Sequence, residues 1–156
     1  MLYKSIDEFV KVIDKKKRII GLDFGEKKIG IALSDKTNLV AIPYSVYIKR
    51  STRKDLGSLY NIFVENNVGS MVIGWPIELS GIESELCQKV VLLANRIIAK
   101  YKINIYLHDE RYSTAMATRV AKLANIKRKE SQSIDDKIAA MLILQQVLDI
   151  MKIYQI

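Results

Sequence analysis

A change of rhythm about a third of the way along the chain constrains its fold more than any other feature. Up to Tyr47 the apolar residues come in short runs at strand spacing; from Thr52 onward short runs alternate with longer stretches at helical spacing. Arg18 to Leu22 is the first such strand. Lys28 to Ser34 sets Ile29, Ile31 and Leu33 against Gly30, Ala32 and Ser34, the alternation of a second strand whose small-residue side would let a helix pack close. Val40 to Tyr47 is a third, in which Pro43 signals an edge or a bulge. The turn Phe24-Gly25-Glu26-Lys27 is short enough to make the first two strands a hairpin.

The later part predicts a helix over 52–65, a short buried strand over 70–74, a helix over 82–100 capped by Ser80 with Glu83, and a strand over 104–108. A helix over 114–125, a polar basic loop over 126–133 and a closing helix over 134–151 follow. Ahead of the first strand, Ser5 and Glu8 have capping-box spacing, which predicts a short helix through Val12. A hairpin unit joined to βα units gives a mixed five-stranded α/β sheet flanked by helices on both faces. The expected organisation is an N-terminal helical extension over 1–17 and a single domain over 18–156.

Composition narrows the function classes. No apolar run approaches the roughly 20 residues that cross a bilayer, and Met1 to Glu8 lacks the charged-then-apolar order of a signal peptide. Cys87 is the one cysteine, so neither an internal disulfide nor a cysteine metal site is available; it reads as a buried, inert thiol. The expectation is a soluble cytoplasmic protein. A net charge of +8 favours polyanions. That charge is grouped: Lys15 to Arg18, then Lys49, Arg50, Arg53 and Lys54, then Lys127, Arg128 and Lys129.

Acidic residues fall where strands end and the last helix begins. Asp23 closes the first strand, at the end where α/β folds place ligands, with Gly25 able to take positive φ behind it. Its bland reading is a turn residue. Asp109 and Glu110 close the strand over 104–108. In a regular strand Glu110 shares a face with Tyr106 and His108, and Asp109 shares one with Ile105 and Leu107. They could equally be surface acids paired with Arg111. His108 is the single histidine and reads as a satisfied residue flanking the sheet, or as a group tuning a site.

Asp135 and Asp136 sit where a first helical turn favours acids and Ser133 could cap. Asp136, however, forms an i, i+3, i+4, i+7 stripe with Ala139, Ala140 and Ile143, which places its carboxylate on a small-residue face close to the sheet. Trp75, in Gly74-Trp75-Pro76, could stack on a base or anchor its loop. Carboxylates converging beside a basic surface are what metal-dependent cleavage of a nucleic-acid backbone requires.

In order and spacing these segments resemble the YqgF family, also called RuvX, a bacterial branch of the ribonuclease-H-like fold to which Holliday junction resolution and pre-16S rRNA processing are ascribed. The resemblance runs from about residue 18 to 150. It is carried by Ile20-Gly21-Leu22-Asp23-Phe24-Gly25 with Lys27 to Asp35, by Val72-Ile73-Gly74 with Pro76 and Gly81, by Leu107-His108-Asp109-Glu110-Arg111 with Ser113-Thr114, and by Asp136-Lys137 with Ala139-Ala140 and Ile143-Leu144-Gln145.

It implies a nuclease binding Mg²⁺ or Mn²⁺ through Asp23, Glu110 and Asp136, with Lys27 and Arg111 offsetting phosphate charge. Lys127, Arg128 and Lys129 would grip the nucleic-acid backbone. The implied substrate is precursor 16S rRNA, with four-way DNA as the older alternative, cut by a monomer or homodimer. Glu26 and Trp75 depart from the family pattern, which has a small hydroxyl residue and an aliphatic residue there. A binding module without cleavage activity competes with this reading. A relative of the actin-like kinases, which need two such domains around a nucleotide, competes more weakly.

Overall fold

The early run of strand-spaced segments and the later alternation meet in one six-stranded sheet, ordered β1-β6-β5-β2-β3-β4. The computed structural model of the chain describes residues 1–77, 82–109 and 128–154 (backbone only within 128–135). Its strands are β1 (Leu2–Tyr3), β2 (Arg18–Phe24), β3 (Lys28–Ser34), β4 (Ala41–Ile48), β5 (Val68–Trp75) and β6 (Asn104–Asp109). Its described helices are α1 (Ile6–Val12), α2 (Thr52–Glu65), α3 (Glu85–Tyr101) and α4 (Arg128–Tyr154). β2 runs antiparallel to β3 and β3 to β4, whereas β2, β5, β6 and β1 are parallel neighbours.

Each face of the sheet carries its own core. Ile20, Leu22, Ile31, Ile73 and Ile105 pack with Leu59 and Phe63 of α2 and Val90 and Ile97 of α3. On the other face Ile19, Ala32, Val72 and Tyr106 meet Phe9 of α1 and Ile143, Leu144 and Val147 of α4. The expected small-residue side of β3 is the side that α4 crosses. Cys87 is fully buried in the first core, as its place on the helix implied.

The structure differs from the sequence reading in four places. The sheet has six strands, because Leu2–Tyr3 adds to β6 in parallel register, helped by the Ile105 amide donating to the Met1 carbonyl at 3.0 Å. Two residues are too few to show an alternation. Ser5 is the N-cap of α1, but its side chain makes no capping bond, so the capping box is not formed. α3 begins later than expected: Ser84 is its cap, accepting from the Cys87 amide at 3.3 Å, and Ile82 stays 61% exposed outside the helix.

The run from Arg128 to Ser133 is helical rather than loop, so Asp136 lies in the third turn of α4 and not the first. That run is rich in good helix formers (Arg, Lys, Glu, Gln) but has no apolar stripe, which is why its pattern concealed it. The signal from Pro43 is borne out: β4 is the edge strand, and Tyr44 is an extra residue opposite the Ile31–Ala32 step. The expected helix over 114–125 lies outside the described residues.

Candidate active site

Asp23 is directly opposite Gly30 in the β2–β3 ladder. Directly paired residues put their side chains on the same face, with Cα atoms about 4.5–5.5 Å apart. Gly30 has no side chain to put there, and the reason is visible above it: a Cβ on Gly30 would lie 2.1 Å from the carbonyl oxygen of Asp136 and 3.4 Å from its Cα. The backbone of α4 at Asp136 therefore rests on the strand position beside Asp23. Gly21 repeats the contact further along β2, where a Cβ would meet Leu144 Cβ at 2.8 Å and the Ala140 carbonyl at 3.1 Å. The stripe Asp136, Ala139, Ala140, Ile143 is the face that meets the sheet. Asp23 and Asp136 are both half-buried.

The neighbouring strands end at the same level. Gly74 of β5 is paired with His108 of β6, and both share the face of Val72 and Tyr106. His108 is half-buried and satisfied: its Nε2 donates to Gln146 Oε1 of α4 at 2.7 Å, and its Nδ1 lies 3.4 Å from the Tyr106 hydroxyl. It ties the end of β6 to α4. Burial and, secondarily, the Asp109 charge push the Tyr106 phenol above its ordinary range. Asp109, paired with Trp75, turns toward the opposite core, as the alternation required.

The hairpin turn after Asp23 is held by a residue that the sequence showed only as part of a basic group. Lys49 Nζ donates to the carbonyls of Gly25 (3.3 Å) and Glu26 (3.0 Å) and lies 4.1 Å from the centre of the Phe24 ring. Its amide donates to the Lys27 carbonyl at 2.9 Å, extending the β3–β4 pairing past Lys28 and laying its side chain under the turn. Burial lowers the Lys49 pKa from its ordinary value, and the Asp55 charge opposes that shift. The signal that could have found it was register, since Lys49 follows the residue paired with Lys28. Lys27 itself is exposed on the turn, and Glu26 lies 3.9 Å from Lys89 of α3.

Trp75 belongs to the core on the other face of the sheet. It is 9% exposed, with the Lys4 ammonium 4.6 Å above its ring. Glu110, Arg111 and Lys127 lie outside the described residues, and Arg128 and Lys129 open α4. Among the described residues no three His, Cys, Asp or Glu form a metal-binding group. The two acids that the fold does bring together are nevertheless hard oxygen donors of the type Mg²⁺ and Mn²⁺ take. The side-chain-free position at Gly30 brings the helix down to the end of the strand that carries Asp23. The residues present fit such an ion.

Known proteins resemble the chain in sequence and in fold. Residues 17–150 match the sequence model of a family described as RuvX, Holliday junction resolvase. A protein of Ehrlichia chaffeensis, provisionally named a pre-16S rRNA nuclease, is 83% identical over 155 residues, covering 99% of each chain. A Wolbachia pipientis protein with the same provisional name is 52% identical, covering 96% of each. Among solved structures, Thermus thermophilus RuvC in complex with a Holliday junction superposes with a TM-score of 0.51 at 10% identity, covering 86% of this chain and 96% of that one. The fowlpox virus resolvase bound to Holliday junction DNA gives 0.51 at 13% identity, covering 89% and 99%. At these identities the structural likeness is one of fold.

Proposed function

The chain belongs to the RuvX family, and from that premise we propose that it is a Mg²⁺- or Mn²⁺-dependent nuclease that processes the 5′ end of precursor 16S rRNA. The observation that carries this is the seating of Asp136 on Gly30, the residue paired with Asp23. Two acids 113 positions apart in sequence (136 less 23) are brought by a bare backbone contact to one end of the sheet.

In this reading Asp23 and Asp136, with Glu110, hold the metal. Bound there, Mg²⁺ or Mn²⁺ would supply an activated water and charge stabilisation at the leaving oxygen. The chain's own residues do the rest. Lys27, exposed on the turn beyond Asp23, and Arg111 offset phosphate charge as it builds. Lys127, Arg128 and Lys129 hold the nucleic-acid backbone, an attraction that salt weakens. The Lys49 ammonium keeps the Gly25–Glu26 carbonyls in place, so the turn presents Lys27 on a fixed frame. Among the described residues no helix is long and apolar enough to cross a membrane, and the proposed setting is the cytoplasm, with one nuclease domain over 18–156 behind a short N-terminal extension.

The family description and the junction-bound RuvC and fowlpox structures favour one second reading, cleavage of four-way DNA, which would call for a two-fold dimer to match the symmetry of the substrate. Labelled precursor-16S leader RNA and a four-way DNA junction, each with Mg²⁺, Mn²⁺ or EDTA, decide between them. We expect metal-dependent cutting of the RNA, lost in Asp23→Asn and in Asp136→Asn. Cutting of the junction alone would move the assignment to the second reading. Binding without cutting, unchanged in both variants, would leave a binding module.

A further inference from the structure

The end of the sheet far from Asp23 carries a second basic surface that the cleavage reading does not use. Two cavities adjoin there and share Asn67. One, of about 360 Å³, is lined by Lys17, Tyr60, Tyr101 and Lys102 among others. The other, of about 450 Å³, is lined by Lys16, Arg18, Lys36, Asn66 and Glu65. Among the described lining residues, two cations in the first and three in the second thus stand against one acid, Glu65. Charge of one sign concentrated along a concave surface draws polyanions.

The surface is built rather than incidental. β5 carries one extra residue, Gly69, opposite the Arg18–Ile19 step of β2, and a bulge re-aims the side chains around it. The stem of Lys17 lies where a side chain on Gly69 would be: a Cβ there would come within 2.7 Å of Lys17 Cβ. The Lys17 carbonyl is held by Asn38 Nδ2 at 2.9 Å, and the Arg18 amide by the Asn67 carbonyl at 3.0 Å. These bonds fix the basic run across the mouth of the cleft. Beside it Tyr60 stacks on Tyr101, ring centres 4.3 Å apart and 11° from parallel, and Tyr60 is still 43% exposed. An exposed aromatic platform among lysines is what unstacked bases and their phosphates bind.

We infer that this cleft, lined by Lys16, Lys17, Tyr60 and Lys102, is a second binding surface for single-stranded RNA. Its edge at Arg18 lies about 17 Å from Asp23 along β2 at strand rise, so only a substrate longer than that reaches both ends. The inference rests on the nucleic-acid reading above in naming RNA, but it does not depend on the acids at the other end of the sheet.

The test is fluorescence anisotropy of a labelled oligouridylate of about 20 nucleotides, a length spanning more than one usual single-strand site, titrated with the full chain in EDTA at several salt concentrations. The triple variant Lys16→Ala, Lys17→Ala, Lys102→Ala should bind more weakly, and the slope of log K against log salt should become shallower by about 2, or roughly 0.7 for each phosphate that is no longer neutralised. Tyr60→Ala should weaken binding about 5- to 150-fold. Thermal unfolding of each variant shows that it is folded. An unchanged slope in the folded triple variant overturns the inference. So does a wild type that ignores oligouridylate but captures labelled polyglutamate, which would make this a surface for acidic protein. Metal-dependent cleavage of leader RNA is scored separately: cleavage with an unchanged slope refutes only the second surface, and a shallower slope without cleavage refutes only the nuclease.

Discussion

The carbonyl oxygen of Asp136 lies so close over Gly30 that one added methyl group would come within 2.1 Å of it. Gly30→Ala must therefore push α4 off the strand or bend β3, since the obstacle is backbone and cannot rotate away. Overpacking of this kind costs about 1–3 kcal/mol. We expect a lower urea midpoint and, because Asp136 moves relative to Asp23, a loss of leader-RNA cleavage of about tenfold or more. Full activity at reduced stability would mean the seating is structural only.

Gly57 makes the matching control. It lies inside α2, and nothing comes within 4 Å of the Cβ it lacks. Gly57→Ala should raise stability by about 0.4–1 kcal/mol, because alanine restricts the unfolded chain and favours the helix. Denaturant unfolding reads this directly, and cleavage should not change.

Ser34 and Asn38 form a buried polar network behind the amino end of β2. The Ser34 hydroxyl accepts from the Ile19 amide at 2.8 Å and donates to Asn38 Oδ1, while Asn38, at a φ of 56°, reaches the Lys17 carbonyl through Nδ2. Ser34→Ala orphans an amide and a carboxamide oxygen in a buried site, at about 1–3 kcal/mol for each group left unpaired. The unfolding midpoint should fall accordingly, with metal-dependent cleavage retained at temperatures where the variant is folded.

Asp35 gives the fold a pH signature. The Thr37 hydroxyl and the amides of Val40 and Leu39 stabilise its carboxylate and lower its pKa from 3.8 to about 2. Because the folded value is the lower one, the stabilisation is fully present above the unfolded value and is lost as pH falls toward 2. The stability gap between wild type and Asp35→Asn should be widest above about pH 4 and should close toward pH 2. A gap that is constant with pH would place the carboxylate's partners elsewhere.

What could be read from the sequence was whatever repeats at a fixed period. The alternation Gly30, Ala32, Ser34 announced a strand face made for a helix, and Asp136 with Ala139, Ala140 and Ile143 announced the helix that fills it. Their meeting at Asp23 follows from those two patterns. What could not be read depends on contacts without a period. Leu2–Tyr3 is a strand only because β6 is there to receive it. The first two turns of α4 have propensity without a stripe, so they resembled a loop. Lys49 gains its role at the turn from cross-strand register, and the Lys17 cleft depends on one extra residue in β5. Trp75 falls on the far face of the sheet from Asp23, a matter of strand parity that its place in a loop motif concealed.

The bulge at Tyr44 has a bearing on how copies of the chain meet. β4 ends the sheet with Ile42, Tyr44 and Ile48 exposed, and a straight strand of that character would be an open template for the same strand of another molecule. Pro43 withholds an amide and the extra residue twists the rim out of line, so growth of the sheet from one molecule to the next stops there. Two copies that came together on a substrate would not join their sheets through this rim, which stays in water.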